Sequence, residues 1–272
     1  MESAPPRAPT VPPLETPVRS ILLDYGMTLA TYRRPTAELE AGYAAIRRLL
    51  RERARHPENV PDAEVLLAGV HDRIEAAVLQ HEKQGELREI NLDVAYRDAY
   101  GALGLRLDRR TRQAVQLIEQ RAWFNGMQVS LNVPATIGAL HWRGVRVGLC
   151  SNAPWLPQGM LEQLDHVGLR PLLDSITLSG AVGWRKPSPR VFRRALRDLG
   201  ARPATTLMVG DRVREDVDGA HAVGIRAVRL RAHADDADGT ERADCVLDSL
   251  TDLIALVDRC NGTAGGDGSP AG

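Results

Sequence analysis

Aromatic residues and lysine are scarce in this 272-residue chain. Two Phe, five Tyr and four Trp make up 4% of it, and of its 35 basic side chains only Lys83 and Lys186 are lysine. Acidic side chains also number 35, so the formal net charge is zero. With neither an excess of basic charge nor aromatic rings interleaved with it, the chain lacks the electrostatic and stacking footprint of a nucleic-acid binder, and none is expected as a partner. No run of 18 apolar residues occurs, and the opening MESAPPRAPTVPPLETP has no apolar stretch behind a basic start. A membrane span and a secretory leader are therefore not expected, and a cytoplasmic location is. Cysteine is sparse too: Cys150, Cys245 and Cys260 are odd in number, far apart and without a CxxC pair. That pattern argues against a disulfide framework and against a thiolate metal centre.

What is present is a recurring short apolar run that ends in a small or acidic residue: Ile21 to Asp24, Val145 to Ser151, Ser175 to Leu178, Thr205 to Asp211, Ile225 to Leu230 and Asp244 to Leu247. Segments of helical period lie between them, such as Val191 to Leu199, begun by Pro189 and stopped by Gly200. Strands alternating with helices predict an α/β fold with a doubly wound, mostly parallel, Rossmann-like sheet, built from residues 19–32 and 126–258. Residues 33–125 show only helical periodicity, as in Leu39, Tyr43, Ile46 and Leu50, and read as an inserted all-helical domain. Its arginines 47, 48, 51, 53 and 55 read as a solvated helix face, with an anion-facing patch as the sharper alternative. Six prolines among the first 17 residues, and the closing NGTAGGDGSPAG, predict loose tails at 1–18 and 259–272.

Ligands of a parallel sheet sit beyond the carboxyl ends of its strands, and here those ends are polar in a coherent way. The first strand ends in Asp24-Tyr-Gly26-Met-Thr28, the second in Ser151-Asn152, and the fourth in Gly210-Asp211, followed by Asp216 and Asp218. A lysine in the string Trp184-Arg-Lys186-Pro stands just before a helix start. Together, in this order, these residues resemble the four motifs of the haloacid dehalogenase superfamily over roughly residues 19 to 255, with the helical insertion matching the cap that follows its first motif. The resemblance implies Asp24 as the nucleophile, Ser151 as a hydrogen-bond donor to the transferring group, and Lys186 as the charge beside Asp24. It further implies Mg²⁺ held by the carboxylates of Asp24 and Asp211 and the carbonyl of Gly26, with Asp216 supporting the ion, Thr28 fixing the loop and Asn152 beside the substrate. Such chemistry suits phosphoryl transfer, which needs an in-line oxygen nucleophile, positive charge around the phosphoryl oxygens and a hard ion.

One position departs from the pattern. Phosphatases of this superfamily read DxDxT, and glycine stands here where their second Asp gives and takes a proton. Gly26 still offers a carbonyl to a metal but no acid or base, help typically worth about 10² to 10⁴ in rate. The expectation is a slowed Mg²⁺-dependent hydrolase of a small phosphorylated metabolite, working through an aspartyl-phosphate. A leaving group needing no proton, a base on the substrate, or a residue reaching in from the insertion, with His56, His71 and His81 as candidates, are the compensations open to it. The alternatives are a haloacid dehalogenase-like hydrolase, whose DxY pattern Gly26 also fails to match, and an impaired binding module on the same fold. Neither the substrate nor the oligomeric state is legible.

Overall fold

The computed structural model describes residues 11–231 and 242–262. Strand β1 (Ser20–Leu23) leads through a tight loop into β2 (Ala30–Tyr32), and a helical segment follows: α1 (Thr36–Arg53), α2 (Ala63–Leu66), α3 (Asp72–Lys83), α4 (Leu92–Ala102) and α5 (Arg109–Ala122). A π turn over Leu67–His71 joins α2 to α3. Strand β3 (Met127–Val129) then returns antiparallel to β2. The remainder runs α6 (Asn132–Trp142), β4 (Arg146–Ser151), α7 (Pro157–His166), β5 (Ser175–Leu178), α8 (Ser179–Val182), α9 (Pro189–Leu199), β6 (Thr206–Gly210), α10 (Gly219–His221), β7 (Arg226–Leu230), β8 (Cys245–Leu247) and α11 (Asp252–Cys260).

Six strands form one sheet in the order β5-β4-β1-β6-β7-β8, with every pairing parallel. Alternate side chains of a strand point to opposite faces, so a sheet covered on both sides is mostly apolar on both. Ile21, Leu23, Val147, Leu149, Leu207 and Val209 belong to one apolar cluster with side chains of α6, α7 and α11. Leu22, Cys150, Met208 and Ala227 belong to a second, with α9 and α10. The doubly wound α/β core is therefore present, and fully parallel within this sheet.

Helices α1 to α5 bury a third cluster of their own. Tyr43, Ile46 and Leu50, three or four residues apart on α1, meet Leu66, Val70, Ile74, Tyr96 and Val115. The side-chain oxygens of Asn91 and Asp108 accept from Val94 N and Thr111 N and so cap α4 and α5. Trp155 packs against both this cluster and the first cluster of the sheet.

Two expectations are corrected where the ends are described. Residues 11–18, read as part of a loose tail, lie against the core: the buried Arg226 guanidinium donates to the carbonyls of Leu14 at 2.5 Å and Thr16 at 2.7 Å, and Val18 is buried. Residues 259–262 are likewise not loose, because α11 runs to Cys260 and the Asn261 side chain bonds both Val18 N and Val18 O. The cause is a buried guanidinium, whose donors must find acceptors, and the polar backbone of the proline-rich segment supplies them. Residues 1–10 and 263–272 lie outside the described residues.

Candidate active site

The strand order reverses around β1: the chain steps outward to β4 and β5 on one side, then crosses to β6, β7 and β8 on the other. A crevice opens at such a switch point, beyond the carboxyl ends of the strands. Leu23 is level with Leu149 of β4 and Val209 of β6. Asp24 therefore stands level with Cys150 and Gly210, and Ser151 and Asp211 come one residue beyond it on the two flanking strands. The Asp24 amide donates to Val209 O at 2.9 Å, which ties the strand end to β6. The loop that follows closes on itself, since Leu29 N and Ala30 N both donate to Tyr25 O, at 2.9 and 3.0 Å, and Met27 N to Ala30 O at 2.8 Å. Met27 takes a left-handed φ of 59° in this turn, a conformation costing a non-glycine residue roughly 1 kcal/mol.

Lys186 reaches the crevice from the segment before α9. Its ammonium, 2% exposed, donates to Asp24 Oδ1 at 2.5 Å and to Asp216 Oδ1 at 2.6 Å. Burial alone would lower its pKa, but Asp216 and Asp24 outweigh that and hold it above the ordinary lysine value, so the group is a fixed cation. Asn152 positions it: Oδ1 accepts from Lys186 N at 2.7 Å and Nδ2 donates to Lys186 O at 3.2 Å. Sequence reading had set Asn152 beside the substrate; the structure turns its amide onto the lysine backbone, whose polar groups are otherwise without a ladder partner.

Carboxyl oxygens of Asp24, Asp211 and Asp216 all lie within 4.8 Å of one another. Burial first, and then the charge of Asp24, push Asp211 above the usual carboxylate range. Asp216 is also raised by burial, with Lys186 pulling it back and Asp24 adding to the rise. Asp216 spends its second oxygen on the Arg212 amide at 3.0 Å. Asp211 Oδ1, in contrast, is buried without a partner among the described residues. Gly210 makes the arrangement possible, because a Cβ there would collide with the Asp216 carboxyl group. Three carboxyl groups stand close together, one ammonium binds two of them, and Asp211 keeps a buried oxygen without a donor. Such a donor set fits a hard divalent cation, with Asp24 and Asp211 as carboxylate ligands and Asp216 engaged behind them.

Ser151 and Thr28 are both buried, at 4% exposure, and the Thr28 hydroxyl has no partner among the described residues. The histidines of the helical segment are committed elsewhere. His56 pairs with Glu58 at 3.1 Å, His71 Nδ1 meets Glu119 at 2.6 Å, and His81 Nε2 meets Arg88 O at 2.7 Å. Arg48, Arg51, Arg53 and Arg55 are exposed and Arg47 is half-buried, bonded to Pro61 O and Asp62, as a solvated face would be.

Sequence reading missed the contact that brings the helical segment to the lysine. Arg185, buried, binds Glu82 at 2.6 Å and lies 3.6 Å from Glu89. Arg185 N donates to Leu87 O at 3.0 Å, Glu89 N to Gly183 O at 3.2 Å, and Arg214 to Gly85 O at 2.8 Å. Arg88 and Arg190 both stand over the Trp184 ring. The partners that join the two regions are about a hundred residues apart in the chain, for example 103 for Arg185 and Glu82, and no local pattern marks them.

Geometry thus defines a doubly wound α/β protein with a carboxylate–lysine centre at the tips of its central strands. Residues 183–253, which hold Lys186, Asp211 and Asp216, match the family model described as HAD-hydrolase-like. Over 107 residues the chain is 33% identical to a glyceraldehyde 3-phosphate phosphatase of Methanothermobacter thermautotrophicus, covering 39% of this chain and 46% of that protein. Over 86 residues it is 41% identical to a phosphoserine phosphatase of Thermus thermophilus, covering 32% and 34%. These matches span less than half the length of either relative. In fold it is similar to a HAD phosphatase from Thermococcus onnurineus, with a TM-score of 0.57 at 21% identity over 88% of this chain and 98% of that one. It is also similar to a 2-haloacid dehalogenase from Pseudomonas syringae, with a TM-score of 0.60 at 20% identity over 89% and 99%. The fold is therefore that of haloacid dehalogenase-type hydrolases, and the sequence around the later motifs is similar to that family and to phosphatases within it.

Proposed function

We propose that the protein removes phosphate from a small phosphorylated metabolite through an aspartyl-phosphate at Asp24. The observation that carries this reading is the Asp24 carboxylate held 2.5 Å from a buried ammonium, with the Asp211 and Asp216 carboxyl groups beside it. A phosphoryl group entering the crevice meets Asp24 as an in-line oxygen nucleophile. Lys186 offsets charge on its oxygens, and the Ser151 hydroxyl donates to one of them. Water then attacks phosphorus and releases Asp24 and inorganic phosphate. Mg²⁺, held by Asp24, Asp211 and the Gly26 carbonyl with Asp216 in support, supplies positive charge to the transferring group when bound. Lys186 is kept in place by Asn152 and Asp216, while the buried Thr28 fixes the loop after Asp24. The helical segment, residues 33–125, acts in this reading as a cap over a core of residues 19–32 and 126–258, and excludes water as it docks through Arg185. The names of the relatives favour a phosphorylated small molecule as substrate, without choosing which.

Phosphate release from p-nitrophenyl phosphate and acetyl phosphate, measured with Mg²⁺ and with EDTA, tests the reading. Hydrolysis that depends on Mg²⁺ and vanishes in Asp24→Asn is the expected result. Halide release from 2-chloropropionate without metal would favour the dehalogenase alternative, which leaves the carboxylate cluster without a purpose. Failure to trap beryllium fluoride on a folded protein would favour a binding module.

A further inference from the structure

The reaction proposed above leaves the proton of the leaving group unassigned, and the space beside Gly26 suggests its source. A Cβ built on Gly26 would have one neighbour within 4 Å, Cε1 of Tyr32 at 3.8 Å. Cε1 adjoins the carbon that bears the hydroxyl, so the hydroxyl end of the ring borders the place where an acid/base side chain would begin. Tyr32 is the last residue of β2 and pairs with Met127 of β3, and the loop of Asp24 is joined to the same strand by a bridge between Gly26 and Ala30. The antiparallel pair of β2 and β3 thus fixes the ring against the nucleophile's loop. Four of the five tyrosines, Tyr25, Tyr43, Tyr96 and Tyr100, are buried, whereas Tyr32 is 56% exposed. Its hydroxyl makes no hydrogen bond to another described residue. The three histidines of the helical segment all have partners of their own, as described above.

We infer that Tyr32 is a further catalytic residue, donating the proton that Gly26 cannot. As Asp24 Oδ bonds to phosphorus and the bond from phosphorus to the ester oxygen breaks, that oxygen keeps the electron pair and takes the Tyr32 hydroxyl proton, leaving as the alcohol. A departing alkoxide is far more basic than a phenolate, so the transfer runs downhill. In the second half, the attacking water gives a proton back to the Tyr32 oxygen as the bond between Asp24 and phosphorus breaks. Phenol, carboxylate and inorganic phosphate are thereby restored.

The test compares ethyl phosphate, whose leaving group needs a proton, with acetyl phosphate, whose leaving group does not, by kcat/KM in the full chain with Mg²⁺. Tyr32→Phe keeps the ring, and is expected to lower kcat/KM about 100-fold for ethyl phosphate and about 5-fold or less for acetyl phosphate. Gly26→Asp, for which there is room, is expected to restore ethyl phosphate turnover in the Tyr32→Phe background and to add less in the wild type, as two donors for one position would. Equal losses on both substrates, no loss, or equal gains from Gly26→Asp in both backgrounds would each overturn the inference while leaving the phosphatase reading intact. A wild-type protein that hydrolyses neither substrate would bring down both.

Discussion

The sheet and the helical segment each bury carboxylate charge, and they balance it in opposite ways. Among the helices, Glu119 accepts from Tyr43 and Tyr96 hydroxyls, both at 2.8 Å, on one oxygen, and meets His71 Nδ1 at 2.6 Å on the other. Burial first, then Glu119, raise both tyrosines above their ordinary range, so they stay protonated and keep donating. Both oxygens of this carboxylate are filled. At the strand tips, Asp24 and Asp216 share one lysine, and Asp211 beside them keeps an oxygen without a donor. A buried carboxylate with its oxygens filled by neighbours serves the fold, whereas crowded carboxylates short of cations call for a ligand.

The contrast breaks first at Asp24. Asp24→Asn is expected to reduce phosphate release by about 10⁴-fold or more, with a melting temperature close to wild type because it also relieves Asp211. Loss of the fold together with activity would put this carboxylate in the same class as Glu119.

Glu119→Ala is the converse. It leaves two buried hydroxyls and His71 without their acceptor, and denaturant unfolding is expected to show a loss of about 3–5 kcal/mol. Activity per folded molecule should stay near wild type, and a selective loss of turnover would dissolve the distinction.

Mg²⁺ sharpens the comparison through pH. At about 100 times its dissociation constant the ion is expected to stabilise the protein by about 2.7 kcal/mol near pH 7.5, read as a rise in melting temperature. Asp211 has a raised pKa in the ion-free fold, so the folded state takes up its proton at a higher pH than the unfolded chain does. Lowering the pH from neutrality therefore relieves the ion-free fold, and the increment from Mg²⁺ should shrink toward pH 5. An increment that grows on acidification would contradict the charge balance drawn here.

The smallest effect belongs to the seam between the regions. Arg214→Ala removes one half-exposed hydrogen bond to Gly85 O, and is expected to cost under about 1 kcal/mol in stability, with at most a few-fold rise in KM. A collapse of stability would mean that the two regions are not separately built.

Much of the core was legible because its signal is local. Apolar runs read as Ile21 to Asp24 and Thr205 to Asp211 appear as Ser20–Leu23 and Thr206–Gly210, and the polar residues that close them stand at the crevice. The pairing of β2 and β3 escaped notice because three residues are too few to show a period of two. The ordering of residues 11–18 escaped because its cause, Arg226, lies 212 residues from Leu14. Asn152 could be named from its neighbour Ser151, but the Lys186 backbone it binds is 34 residues away.

Sequence by itself determined which side chains end each strand, since alternation along a strand and the breaks between strands are properties of neighbouring residues. Tertiary structure alone decided what those ends can do. Whether a carboxyl group is crowded, filled or orphaned, and whether a tyrosine borders an empty glycine, depends on desolvation and through-space distance, which no stretch of neighbouring residues encodes.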